Sequence, residues 1–122
     1  MKIAAQLLVL LVAVEHAWFL VLEMFLFTKP TGLRTFGLEE AFARRAAPMM
    51  ANQGLYNGFL VAGLLWSLLA AEPFGFQLKL FFLACVVVAG AFGAATVNRR
   101  ILWLQAGPAL LALVLVFLAQ PW

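Results

Sequence analysis

Four stretches of this chain each run for roughly 18 residues or more on apolar side chains, the length at which a segment reads as a membrane span. They fall at about residues 3–27, 49–71, 77–97 and 101–119, and little sequence remains between them. At about 1.5 Å rise per residue, each is long enough as a helix for a hydrocarbon layer of roughly 30 Å. The expected fold class is therefore all-α: a polytopic membrane protein, a four-transmembrane-helix bundle forming a single domain over residues 1–122. Composition points the same way, with 66% hydrophobic and 11% charged residues against about 45–50% and 25% in soluble domains.

The N-terminus imitates a signal peptide, because Lys2 precedes the run IAAQLLVLLVAV. Glu15 and His16 interrupt that run and no A-x-A-like cleavage site follows, so it is expected to stay as the first span. It should stop before TKPTG, where Pro30 and Gly32 break any helix. The first loop is the long one. Its LEEAFARRAA sets Leu38 and Phe42 four residues apart among charged neighbours, which predicts a short amphipathic segment on the membrane surface.

Basic residues set the orientation. Lys29, Arg34, Arg44, Arg45, Arg99 and Arg100 lie in the first and third loops, whereas Lys2 and Lys79 lie at the other ends of the spans. The positive-inside rule puts those two loops in the cytoplasm and both termini on the outer side. Trp66 and Trp122 then fall near the outer interface and Trp103 near the inner one. The net charge of +3 is explained by these loops, so the expected partner is the lipid bilayer and no nucleic acid. Cys85 is alone, inside an apolar run, and cannot form an intramolecular disulfide.

Polar groups buried in the spans are the candidates for function. Glu23 lies about a turn from the cytoplasmic end of the first span, and Asn52 and Gln53 lie at a similar depth in the second. Tyr56 and Asn57 follow one turn deeper, and Gln105 enters the same layer from the fourth span. Thr96 of the third span lies near its rim. At about 100° per residue, His16 and Glu23 point within about 20° of each other, while Asn52, Gln53, Tyr56 and Asn57 fill an arc of about 140°. Glu15 points about 100° away from His16, so it is assigned to a contact with another helix or a neighbouring subunit.

A charge near the bilayer centre costs about 2.5–3.5 kcal/mol on insertion scales, and such residues usually mark a functional site. Against this stands the use of Asn, Gln and Tyr as glue between helices, worth about 0.6 kcal/mol per pair. Amide glue needs no ionisable groups, so His16 and Glu23 favour a ligand or proton site. Gly54 and Gly58, and the pairs Ala89/Gly93 and Gly90/Ala94, have the small-xxx-small spacing that lets helix backbones approach. They predict close packing within the bundle, with a homodimer contact as the second use.

Several chemistries find no motif. There is no phosphate loop, CxxC or HExxH, and Ser67 has no G-x-S-x-G context. Glu15 points away from His16 and Glu23, so no metal site and no cofactor are expected. A channel is not expected either, because no polar stripe runs the whole membrane thickness.

The strings EHAWFLVLEMFLF, FGLEEAFA, ANQGLYNGFLVAGLLW, FFLACVVVAGAFGAATV and LQAGPALLAL resemble the small bacterial integral membrane proteins grouped as domain of unknown function 1304. The resemblance covers nearly the whole chain. It implies a multi-pass protein of the bacterial inner (cell) membrane, and places Glu15, His16, Glu23, Asn52, Gln53, Tyr56 and Asn57 in family motifs. It implies no substrate.

The leading expectation is recognition of a small amphiphile such as an isoprenoid, quinone or lipid. Its oxygens would meet a pocket floored by His16 and walled by Glu23, Asn52, Gln53, Tyr56, Asn57 and Gln105, with Phe and Leu around its tail. Two alternatives stay open. One is a membrane enzyme using His16 and Glu23 as an acid–base pair on a lipid-like substrate. The other is a structural subunit whose polar cluster only locks helices.

Overall fold

The computed structural model describes residues 1–120, so the interfacial placement of Trp122 lies outside the described residues. Their regular structure is entirely helical: α1 (Lys2–Met24), α2 (Pro30–Phe36), α3 (Glu40–Leu69), α4 (Phe74–Thr96), a π-helical turn (Leu102–Ala106) and α5 (Gly107–Leu118). The described residues pack as two compact units, residues 14–61 and residues 1–13 together with those from 62 onward.

Within residues 14–61, the connection after α1 corrects the sequence reading. Pro30 does not simply break the chain. It stands at the start of α2, where its missing N–H costs nothing and its ring presets φ. Lys29 before it is extended, as a residue preceding proline prefers. Gly32 is helical and buried, because any Cβ there would strike the Leu26 and Phe27 carbonyls. Gly37 ends α2 at φ 65°, a left-handed conformation that favours glycine, and its N–H bonds the Leu33 carbonyl.

The surface segment is also different from expectation. It is not separate but forms the first turns of α3, a 30-residue helix with Pro48 inside it. Proline removes one donor, that to the carbonyl four residues back. Here that carbonyl belongs to Arg44, on an exposed turn where solvent can serve it, so the helix continues. The Glu40 carboxylate accepts from Arg44, an i,i+4 pair, and its charge favours the helix N-terminus. Leu38 lies before the helix and Phe42 is exposed; the fully buried residue of this stretch is Ala43.

In the other unit, Val9, Val12, Leu64, Leu83, Val86, Ala109 and Ala112 form the fully buried core. The approach of α4 to the π-turn is set by small residues. A Cβ on Gly90 would lie 2.7 Å from the Ala106 nitrogen, and one on Gly93 would lie 3.0 Å from an Ile101 methyl. The stretch expected as the fourth span begins with a wide turn, with the Gly107 N–H reaching five residues back to the Leu102 carbonyl. Pro108 next along has no N–H, so normal α pairing is interrupted here.

The outer surface is strongly apolar. Leu69, Phe92, Trp103 and Ile3 are each more than 70% exposed or nearly so. Only 28% of the apolar stretch of α1 and 22% of that of α4 are buried inside the protein. A core helix of a soluble domain would be mostly buried, and soluble surfaces rarely carry such patches.

Candidate functional site

The polar pair of residues 14–61 is built by glycine. A Cβ at Gly54 would strike Met24 and crowd Glu23, and one at Gly58 would lie 3.0 Å from Leu20. With hydrogen there instead, α3 lies close against α1, and Asn57 Nδ2 donates to Glu23 Oε1 across the two helices. Both partners are half-buried. This match gives one oxygen of the half-buried Glu23 side chain a donor.

The rest of the expected set is placed differently. Asn52 and Gln53 are exposed, as is about half of Tyr56, and none of the three makes a side-chain hydrogen bond among the described residues. The Tyr56 ring instead leans on Phe59, 5.8 Å away. His16 is fully buried, its ring edge-on to Phe19 at 5.1 Å. His16 and Glu23 are two helical turns apart, roughly 10 Å along the axis, which is not the hydrogen-bond reach an acid–base pair needs. Glu15 Oε1 is buried without a hydrogen-bond partner among the described residues. Gln105, half-buried in the π-turn, belongs to the other unit. Of the expected set, then, the structure joins Glu23 with Asn57 and leaves Asn52, Gln53 and Tyr56 on the open side of α3.

Sequence reasoning passed over a second cluster. Lys79 counted only as a charge at a span end, yet it is 6% exposed. Its Nζ donates to the Ser67 carbonyl at 2.8 Å and lies 3.7 Å from Glu72 Oε1. Glu72 Oε2 accepts the Phe76 N–H at 2.9 Å, tying the turn between α3 and α4 to the first turn of α4. Ser67 Oγ donates to the Leu64 carbonyl at 2.6 Å. A cavity of about 260 Å³ borders this cluster, with Lys2, Gln6, Glu72, Lys79 and Gln120 as its polar lining. The signal was present in FQLKLFF, where a lysine interrupts an apolar run. No group of three or more His, Cys, Asp or Glu side chains suited to a metal ion occurs among the described residues.

These features define an all-α protein with two helices, α1 and α4, long and apolar enough to cross a membrane. The chain belongs to the family described as Protein of unknown function (DUF1304), whose model matches residues 10–117. It is similar to the uncharacterized protein YpaA of Lactococcus lactis subsp. lactis (strain IL1403), at 32% identity over 121 residues, which covers 96% of this chain and 99% of the relative. No solved structure matches the chain.

Proposed function

We infer that the chain is a multi-pass protein of the bacterial cell membrane that binds a small amphiphile through the polar face of α3. The spans are α1, the part of α3 after Pro48, α4, and the continuous helix Leu102–Leu118. The last is 17 residues long, at the short end of the spanning range. The exposed apolar surface supports lipid contact, and the distribution of Lys and Arg supports cytoplasmic first and third loops.

The observation that carries the ligand reading is the contrast along α3. Asn57 is paired with Glu23, whereas Asn52, Gln53 and Tyr56 stand exposed beside that pair without a side-chain hydrogen bond among the described residues. Helix glue requires a hydrogen-bond partner, and the side chains of these three have none among the described residues. An isoprenoid, quinone or lipid head offers oxygens to the two amides and the phenol, and Phe59 extends the apolar surface for its tail. The test is mass spectrometry of small molecules retained after gentle purification, comparing wild type with Asn52→Leu and Tyr56→Phe. One compound held by wild type and lost by both variants is the expected result. Equal bulk lipid in all three refutes the reading.

A further inference from the structure

The Lys79 cavity is a second place where this protein can meet a ligand, and it owes nothing to the polar face of α3. A lysine so near the start of a membrane helix ordinarily extends its stem to put the ammonium in water. Lys79 does not. Its side chain is 7% exposed, with one ammonium donor engaged by the Ser67 carbonyl and the Glu72 oxygen at 3.7 Å, longer than a hydrogen bond. An ammonium carries three donors, and the carbonyl takes one of them. Lys2 brings a second cation to the same cavity, so the lining cations exceed the single carboxylate, Glu72, by one charge. Gln6 and Gln120 add amide groups, and Ala5, Val116 and Ala119 add an apolar wall.

We propose that this cavity binds the singly charged anionic head of an amphiphile, with Lys79 and Lys2 holding the head and Gln6 and Gln120 donating to its oxygens. Charge sets the head. A monoanion balances the excess cation, whereas a neutral head leaves it unmatched. Size sets the rest. About 260 Å³ is smaller than the roughly 300–1,000 Å³ of sites that enclose whole drug-sized ligands. The head and the first part of a tail fill it, and the remaining tail runs out over apolar surface, where Ile3 and Leu118 are exposed. A carboxylate and a phosphodiester share this chemistry, so a fatty acid and an anionic phospholipid are its two sources.

The test is the rise in thermal unfolding midpoint of the full chain in a nonionic detergent, titrated with dodecanoate, phosphatidylglycerol, dodecanol or acetate. Wild type should be stabilised by dodecanoate or phosphatidylglycerol, and the more effective of the two names the source. Lys79→Met should need at least about tenfold more of that ligand for the same rise, and Lys2→Gln should need several-fold more. Equal stabilisation by dodecanol, or by acetate at the same concentration, overturns the proposal. So does an unchanged response in Lys2→Gln. Lys2 is exposed and makes no side-chain bond among the described residues, so that variant decides the matter even where Lys79→Met fails to fold. Neither substitution touches Asn52, Gln53 or Tyr56, so loss here with retention of the α3 ligand separates the two sites.

Discussion

Replacing Gly90 by alanine adds one methyl group where α4 lies close against the π-turn. The new Cβ would lie 2.7 Å from the Ala106 nitrogen and 2.8 Å from the Ala106 Cβ. Neither neighbour can rotate away, because one is backbone and the other is fixed to it. The two segments must therefore part by several tenths of an ångström, which loosens the surrounding contacts as well. Overpacking of this kind costs about 1–3 kcal/mol. The gain from replacing glycine by alanine in a helix offsets about 1 kcal/mol of it, leaving a net loss of roughly 0–2 kcal/mol. Gly93→Ala is the internal control on the same helix. Its Cβ would meet side-chain atoms of Ile101 at 3.0 and 3.4 Å, and these can shift at about 0.5–1.5 kcal/mol, close to what the helix gains. Reversible unfolding in mixed micelles should therefore show Gly90→Ala destabilised relative to Gly93→Ala. If Gly90→Ala is more stable than Gly93→Ala, the close approach at Gly90 is wrong.

Two further outcomes are expected. A double-mutant cycle of Glu23→Leu and Asn57→Leu should give a coupling of about 0.6–1.7 kcal/mol, from the average to the maximum of interhelical hydrogen bonds in membranes; additive losses would show that the two side chains do not meet. In intact cells, on a Cys85→Ala background, a membrane-impermeant maleimide should label Ala71→Cys and spare Thr96→Cys until the cells are opened. The reverse pattern would overturn the proposed orientation.

The helical character of the chain was legible in the sequence because length and apolarity are local properties: a long apolar run satisfies its own backbone only as a helix when water is absent. The resemblance carried by EHAWFLVLEMF and NQGLYNG was legible for the same reason, since it needs no three-dimensional contact. Helix ends were read less well. Pro30 and Pro48 are the same residue type, yet one opens α2 and the other lies inside α3. At the start of α2 no intrahelical bond needs the missing N–H, whereas at Pro48 the Arg44 carbonyl loses its donor and the helix continues only because that turn is exposed, and only the folded chain supplies those surroundings.

Depth and face could be counted along single helices, and this brought Glu23 and Asn57 into one candidate set. Counting could not say that Asn57 alone of the α3 polar residues bonds Glu23, because that depends on how closely α3 lies against α1 at Gly54 and Gly58. Lys79 shows the same limit more sharply. By position it was a charge at the edge of a span; by structure it is buried, with its ammonium on the Ser67 carbonyl and Glu72 nearby. Sequence spacing determines which side chains share a helix face, whereas burial and partnership belong to the surfaces that pack against that face, and those are set only when distant parts of the chain meet.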